Sequence, residues 1–179
     1  MNKYIVLLRG INVAGNNKLP MAELRTLLSD NGYENVATYI QSGNILLDST
    51  KSVEKTNDHI KQLIKQQFDY NIPVLTITAE EIKKCFTENP YLKTEDNIKN
   101  LHVTFLKNIP ENNLAVNLEI KSANNDAYTI TGKTIYLHTP NGYQKTKFSN
   151  NQFEKKLNTQ ATTRNWRTTT KLYEMITDL

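Results

Sequence analysis

Six apolar segments in the first eighty residues leave few topologies open to this chain. Ile5-Val6-Leu7-Leu8 is a short apolar run typical of a buried strand. Pro20 suits the first position of a helix that ends at Asn31-Gly32. Two strands, a second helix with Ser52 as its N-cap and a fourth strand follow, at Val36–Ile40, Ile45–Leu47, Ser52–Phe68 and Pro73–Thr78. The resulting βαββαβ order is the split-βαβ, or ferredoxin-like, pattern.

This pattern predicts which strands lie in the middle of the sheet. With right-handed crossovers the strand order is 4-1-3-2, so the first and third strands are central. These two strands are continuously apolar, whereas the fourth alternates polar and apolar residues as an edge strand does. Because the two helices cover only one face of the sheet, we expect the second half of the chain to cover the other.

The second half of the chain predicts a further mixture of helices and strands. It indicates a helix at Ala79–Glu88, a strand at Leu101–Phe105, a short helix within Pro110–Ile120, a hairpin with a type II′ turn at Gly132-Lys133 and a helical tail from Phe148. This order is βαββα, which is compatible with a second ferredoxin-like unit. The predicted fold class is α+β, with a ferredoxin-like lobe at residues 1–79 and a smaller lobe at 80–179, packed as one compact unit.

Composition and charge exclude several classes of protein. Of the 179 residues, 38% are hydrophobic and 22% are charged, as in globular rather than disordered or fibrous proteins. No apolar run approaches the roughly 20 residues of a membrane-spanning helix, and the first residues lack a signal-peptide pattern. The single cysteine, Cys85, excludes an internal disulfide framework, so we expect a reducing, cytoplasmic location. A net charge of +4 is too mild to name a nucleic-acid partner.

Arginine is scarce in a chain that otherwise uses lysine. The 22 basic residues include only four arginines, Arg9, Arg25, Arg164 and Arg167. This bias suggests that arginine persists where a planar, bidentate guanidinium is needed. Three of the four fall in two short segments, residues 9–18 and 162–171, which we therefore treat as candidate sites.

The first candidate segment links the first strand to the first helix. It runs from Arg9 to Lys18 and contains two glycines and three asparagines. Glycines let a backbone approach a ligand, and helix N-termini attract phosphates and carboxylates. Gly10 and Gly15 are five positions apart, so the segment is neither a Walker loop nor a dinucleotide fingerprint. The alternative is a tight loop with no ligand.

The second candidate segment is the turn Gln41-Ser42-Gly43-Asn44 between the second and third strands. In a βαββαβ sheet this turn and the first loop lie at the same end, and the third strand neighbours the first. We therefore expect Arg9 and this turn to converge, although they are over thirty positions apart. The alternative is an ordinary hairpin turn.

The third candidate segment, Thr162–Lys171, predicts a helix capped near Thr163. On that helix Arg164, Arg167 and Lys171 share one face at i, i+3 and i+7, and Trp166 is a core anchor on another. The basic face contacts either solvent or an anion.

Other chemistries find little support in the sequence. Ser42 lacks a nucleophile-elbow context and a nearby histidine. The three histidines show no metal-ligand spacing with Cys85, which lies on an apolar helical face and is expected in the core. The adjacent carboxylates Glu80-Glu81 and Glu95-Asp96 are expected to be solvated. We expect no metal and no cofactor, and the sequence leaves enzyme activity and oligomeric state open.

The three candidate segments together resemble a known family. The strings Arg9-Gly-Ile-Asn-Val13, Tyr39-Ile-Gln-Ser-Gly-Asn44 and Arg164-Asn-Trp166 are similar to motifs of the family catalogued as domain of unknown function 1697. Ala14 departs from the family pattern, which usually has a glycine there. The resemblance implies a small cytosolic bacterial α+β protein and implies no activity. By position, it marks as motif members Arg9, Gly10, Asn12, Gly15, Gln41, Ser42, Gly43, Asn44, Arg164, Asn165 and Trp166.

The leading hypothesis is a site for a small anionic ligand, a phosphorylated metabolite or a nucleotide. Asn12, Gln41 and Asn44 would supply its neutral hydrogen bonds. The residues predicted to contact the ligand are Arg9, Gly10, Asn12, Gly15, Asn16, Asn17, Lys18, Gln41, Ser42, Gly43, Asn44, Arg164, Asn165 and Arg167. Two alternatives remain: a nucleic-acid accessory protein whose binding weakens with salt, and a structural role in which the motifs close the interface between the lobes.

Overall fold

The computed structural model describes residues 1–13, 15–122 and 125–178. The chain divides into two units. Met1–Lys83 and the residues from Leu172 onward form the first unit, and Lys84–Lys171 form the second. None of the helices in the described part of the chain is both long and apolar enough to cross a bilayer.

The first unit has the predicted βαββαβ order. Its elements are β1 (Asn2–Leu8), α1 (Met21–Asp30), β2 (Glu34–Tyr39), β3 (Asn44–Ser49), α2 (Val53–Phe68) and β4 (Val74–Thr78). Ser52 caps α2 by accepting a hydrogen bond from Lys55 N, as its position predicts. Pro20 lies one position before α1, in an extended conformation, rather than within its first turn.

The four strands form one antiparallel sheet in the order β2-β3-β1-β4. This is the predicted order 4-1-3-2, with β1 and β3 central, so that prediction is confirmed. Within β1, Val6 and Leu8 belong to the core cluster under the two helices. Ile5 and Leu7 point to the opposite face and are also fully buried. The continuous apolar run of β1 therefore reflects burial on both faces, as the sequence predicts.

The second unit repeats the strand order of the first. Its elements are α3 (Ala79–Thr87, which begins in the first unit), β5 (Leu101–Leu106), α4 (Asn112–Val116), β6 (Ala127–Thr131), β7 (Thr134–His138), α5 (Asn150–Leu157), β8 (Ala161–Asn165) and α6 (Trp166–Thr177, which ends in the first unit). The sheet order is β6-β7-β5-β8, again all antiparallel. The strands and helices from β5 to β8 thus follow βαββαβ, one strand more than the sequence indicates. Helix α4 has only five residues, whereas its counterpart α1 has ten.

The additional strand corrects the prediction of a helix from Thr163. Thr163, Arg164 and Asn165 belong to β8, which pairs with β5 so that Val103 faces Arg164 and Thr104 faces Thr163. Two consecutive threonines favour a strand because branching at Cβ fits the pleated backbone. Helix α6 then begins at Trp166 with no intervening loop. The prediction missed this boundary because no glycine or proline marks it.

Candidate functional site

The loop between β1 and α1 is held by its own hydrogen bonds. Asn12 N donates to Asn17 O (3.2 Å) and Asn16 N donates to Val13 O (2.9 Å), which makes a tight reversal. Asn17 Nδ2 donates to Gly10 O at 2.8 Å. Ala14 lies outside the described residues. Hydrogen bonds within the chain therefore hold the described residues of this loop together.

The side chain of Asn12 joins this loop to the turn after β2. Its Nδ2 donates to Gln41 O (2.8 Å) and to Leu19 O (3.0 Å), and its Oδ1 accepts from Leu19 N (2.9 Å). Asn12 has a positive φ of 53°, a conformation that asparagine tolerates better than most residues. The predicted convergence of the loop and the Gln41–Asn44 turn is thus confirmed.

Gly43 brings the turn into direct contact with β1. Leu8 N donates to Gly43 O at 2.8 Å. Gly43 has a φ of 76°, and a Cβ atom placed on it would lie 2.7 Å from Leu8 Cβ and 2.9 Å from Ile11 Cδ1. Only glycine fits this close approach.

Asn44 fixes the turn from the inside. It is fully buried, and its Nδ2 donates to Tyr39 O (3.1 Å) and Ser42 Oγ (2.9 Å). Asn12 and Asn44 were expected to offer their amides to a ligand, but in this structure both donate to the protein's own chain. Gln41 is exposed and its side chain forms no hydrogen bond with any described residue.

A third segment reaches the same end of the sheet. Arg9 N donates to Pro73 O (3.2 Å), and Tyr70 OH donates to Lys18 O (3.2 Å). Tyr70 and Pro73 both belong to the connection between α2 and β4. The β1–α1 loop, the β2–β3 turn and this connection therefore meet around Arg9 and Lys18. Asp69 precedes them, and its carboxylate pairs with Lys65 one turn back on α2.

The charges at this end of the sheet are mostly positive. The first acidic residue in the whole chain is Glu23, and none occurs between Glu34 and Asp48. The two converging segments therefore contain no carboxylate, while Lys18 is exposed and Arg9 is half-buried. The sequence holds this information, but it becomes significant only once the segments are known to meet.

Two exposed apolar side chains lie beside these polar groups. Ile40, the residue before Gln41, has a positive φ of 50° and is 50% exposed. Val13, the residue after Asn12, is 61% exposed. A branched residue in this conformation is strained, and such strain occurs often at ligand sites. The sequence predicts Ile40 as the end of a strand and so gives no sign of this feature.

The C-terminal motif has a different environment. Arg164 is buried, with 9% exposure, and its Nη1 donates to Thr162 Oγ1 and Thr163 O, both at 3.0 Å. Desolvation lowers the pKa of its guanidinium to about 10. Arg167 and Lys171 lie on α6 and are exposed. The predicted single helical face of Arg164, Arg167 and Lys171 is therefore wrong, because Arg164 belongs to a strand.

The other two motif residues connect β8 to α6. Asn165 Oδ1 accepts a hydrogen bond from Thr168 N at 2.8 Å, as an N-cap residue does. Trp166 is 3% exposed, and its ring stacks on Phe86 with 5.7 Å between centroids. The prediction that Trp166 is a core anchor is confirmed.

Comparison with known proteins identifies the family. A family model described as "Protein of unknown function (DUF1697)" matches residues 1–136. The chain belongs to this family. The match confirms the resemblance inferred from the sequence, and its span covers the positions of the first two motifs. The Arg164-Asn165-Trp166 motif lies beyond the matched residues, so its family role stays a prediction.

One solved structure gives the same fold. The conserved bacterial protein SP0830 from Streptococcus pneumoniae matches with a TM-score of 0.72 and 24% sequence identity, over 98% of each chain. At this identity the likeness concerns the fold alone. The comparison with curated proteins finds no match.

The second unit contains an interacting pair, His138 and Glu95, that no sequence pattern indicates. His138 Nε2 lies 2.8 Å from Glu95 Oε2, and the Tyr91 ring stacks on His138. Glu95 also accepts hydrogen bonds from Asn100 Nδ2 and Asn97 N. Glu95 was expected to be solvated, but its side chain is only 16% exposed. No spacing rule could pair residues 43 positions apart.

The hydrogen bonds to Glu95 should make the second unit sensitive to acid. The Asn100 amide, the Asn97 N–H and His138 lower the pKa of Glu95 from 4.5 to about 2. Because the folded pKa is below the unfolded value, the stabilisation is complete above pH 4.5 and is lost as the pH falls toward 2. Glu95→Gln should therefore show a melting temperature that changes less between pH 2 and 5 than that of the wild type.

The neighbouring Asp96 provides the control for this prediction. Asp96 is exposed and forms no hydrogen bond with a described residue. Asp96→Asn should keep the wild-type slope of melting temperature against pH, measured by differential scanning calorimetry. Equal slopes for Glu95→Gln and the wild type would contradict the assignment.

The described residues also show how metal ligands and the single thiol are placed. No group of three or more His, Cys, Asp or Glu residues there could hold a metal ion. Cys85 is 1% exposed, which confirms the predicted core position, and burial raises the pKa of its thiol. Burial has the opposite effect on the basic side chain of His102 and lowers its pKa to about 4, so that its ring is neutral at physiological pH.

Proposed function

We propose that the first unit binds a small anionic ligand, a phosphorylated metabolite or a nucleotide, at the end of its sheet where residues 9–18 and 41–44 meet. The observation that carries the proposal is the Asn12–Gln41 hydrogen bond. It joins two segments that hold Arg9 and Lys18 and contain no carboxylate. A phosphate placed there meets two cations, and neither of these two segments contributes a carboxylate that would repel it.

The backbone of the loop supports this proposal. Gly10, Asn12, Gly15 and Asn17 all have positive φ. Chains that alternate in handedness direct successive N–H groups into one concavity, which is how many phosphate sites are built. The N–H groups of Gly10 and Gly15 donate to no described residue, so they are open to an anion.

The asparagines of the loop prepare the site in this proposal, and other side chains contact the ligand. Asn12, Asn17 and Asn44 hold the loop and the turn in place, which lowers the entropy cost of binding. Gln41 and Asn16 are exposed and supply the neutral hydrogen bonds. Ile40 and Val13 offer an apolar contact for a sugar or a base. Roles for Arg164, Asn165 and Arg167 in binding stay predictions.

Pyrophosphate and adenosine diphosphate are the probes for this site. Each should raise the melting temperature of the wild type and bind in isothermal titration calorimetry. Lys18→Ala should weaken binding about tenfold, the equivalent of losing one charge-assisted hydrogen bond of about 1.5 kcal/mol. Arg9→Ala should abolish the ligand-induced stabilisation while the circular dichroism spectrum stays native.

Lys61→Ala is the matched control, because Lys61 is an exposed lysine of α2 in the same unit. It should bind both probes as the wild type does. Equal binding by the wild type, Arg9→Ala and Lys18→Ala would refute the proposal. Binding of oligonucleotides that falls linearly with the logarithm of salt concentration, without binding of the small probes, would favour the nucleic-acid alternative.

The structural alternative also has a specific observation in its favour. Asn12, Gly43 and Asn44 contact the protein's own chain through the hydrogen bonds and close approach described above. Under this alternative the motifs maintain the fold, and no small anion binds. We further propose that the first unit is ferredoxin-like, on the basis of its βαββαβ order and its 4-1-3-2 sheet, and that the protein is cytoplasmic.

A further inference from the structure

The edge strand β6 lacks the features that usually prevent edge strands from pairing. It is the outer strand of the second sheet, and its residues Ala127–Thr131 include no charge and no proline. The corresponding strand of the first sheet, β2, carries Glu34 and an irregular register between Glu34 and Ala37, where Asn35 has a positive φ. Charges and bulges protect sheet edges from further pairing. The edge strand β2 of the first unit therefore carries such protective features, whereas the equivalent strand β6 of the second unit does not.

The hairpin turn determines which backbone groups of β6 face outward. Gly132 and Lys133 form a two-residue turn closed by the pair Thr131 and Thr134. Gly132 alone has a positive φ, as the predicted type II′ turn requires. In such a turn the closing residues Thr131 and Thr134 exchange backbone hydrogen bonds with each other. Hydrogen-bonded and non-hydrogen-bonded pairs of β6 and β7 then alternate along the strand. Tyr128 and Ile130 consequently direct their N–H and C=O groups away from the sheet.

These outward groups are available for pairing. Among the described residues, none forms a backbone hydrogen bond with the outer edge of β6. Thr129 and Thr131 are exposed. The neighbouring groove has a volume of about 490 Å³ and is lined by Tyr128, Ile130, Ile109 and Val116 among others. Ile109 and Val116 are 69% and 73% exposed, so apolar surface continues beyond the strand.

We propose that β6 pairs antiparallel with β6 of a second copy of this chain, about a two-fold axis through Thr129. In this register Tyr128 of each copy faces Ile130 of the other, and the two residues exchange backbone hydrogen bonds. The four-stranded sheets that contain β6 in the two copies then form one continuous sheet of eight strands. Tyr128 and Ile130 point to the same face, as directly opposed residues of an antiparallel pair must.

Self-pairing suits the charges at the two ends of the strand. Asp126 precedes β6 and Lys133 follows it. Antiparallel pairing about Thr129 places Asp126 of one copy opposite Gly132 of the other, beside its Lys133. The strand itself is neutral, so two copies bring no like charges together. A two-fold interface requires this kind of self-complementarity, and the exposed Ile109 and Val116 flank it on both copies.

Thr129 offers a sharp test, because the two-fold axis brings its side chain next to the same side chain of the other copy. Thr129→Lys and Thr129→Glu should each weaken self-association at least tenfold, since like charges would face each other directly. An equimolar mixture of the two variants should restore the dimer as a heterodimer. Thr129→Val loses the hydrogen bond between Thr129 Oγ1 and Tyr91 OH, as the charged variants do, and should keep the dimer.

Sedimentation velocity of the full chain is measured at protein concentrations from about 10 µM to about 1 mM. These concentrations suit the weak self-association expected for an interface below about 1,200 Å². The wild type should change from monomer to dimer over this range. A wild type that stays monomeric at the highest concentration overturns the proposal. The proposal is also overturned if β6 binds an added peptide strand while the protein itself stays monomeric. A dimer that the charged variants leave unchanged also overturns it.

Discussion

Replacing Gly43 with alanine lowers the free energy of unfolding by about 3 kcal/mol in our expectation. Two costs add in this variant. A residue with a Cβ atom pays about 1–2 kcal/mol in the left-handed conformation, and Gly43 has a φ of 76°. The new methyl group would also lie 2.7 Å from Leu8 Cβ, on the central strand β1. Overpacking of a core costs about 1–3 kcal/mol.

Gly10 provides a matched control for this prediction. It has a similar φ of 72°, but a Cβ atom placed on it meets nothing within 4 Å. Gly10→Ala should therefore cost only about 1 kcal/mol, from backbone conformation alone. Urea unfolding of the two variants and the wild type measures the difference. Equal losses for Gly43→Ala and Gly10→Ala would show that the contact with Leu8 has no energetic weight.

The second large effect is expected at Arg164. Arg164→Ala should lower the free energy of unfolding by about 2–4 kcal/mol, because it removes a buried side chain together with its charge-assisted hydrogen bonds. The substitution leaves a cavity and removes the donors to Thr162 Oγ1 and Thr163 O. The lowered pKa of the guanidinium shows that burial already disfavours its charge. The contacts of Arg164 must therefore compensate for that desolvation.

Arg167 is the control for Arg164. It is three positions away but exposed at the start of α6, so Arg167→Ala should change stability by less than about 0.5 kcal/mol. Arg164→Met keeps most of the side-chain volume without the charge, and it should cost less than Arg164→Ala. A loss below about 0.5 kcal/mol for Arg164→Ala would show that this arginine contributes little to the fold.

Much of the first unit was predictable because its signals are local. Apolar periods of two and 3.6 residues predict strands and helices, and the handedness of crossovers leaves few sheet orders. The sheet order and the meeting of the Arg9–Lys18 loop with the Gln41–Asn44 turn follow from that topology. Both could be inferred before any coordinates because they depend on connectivity and not on side-chain detail.

The second unit was less predictable because its elements are short. Helix α4 has five residues, and β8 passes into α6 without a loop. In such segments one residue more or less changes the apparent period. The β-branched Thr163 favours a strand, but Thr163–Asn165 alone are too short to exclude the first turn of a helix. Pairing with β5 decides for the strand, and that partner is about sixty positions away.

The sequence by itself singled out the residues of the candidate site, and the tertiary structure decided which groups surround each of them. The motifs single out Asn12, Asn44 and Arg164 as polar residues, and their donor capacity can be counted from the side chains alone. Whether those donors face a ligand or the chain depends on groups that folding brings near. Asn12 and Asn44 donate to main-chain and side-chain oxygens, and Arg164 lies buried on a strand. Periodicity is a local property of the sequence, whereas hydrogen-bond partners and burial are set by the packing of distant segments.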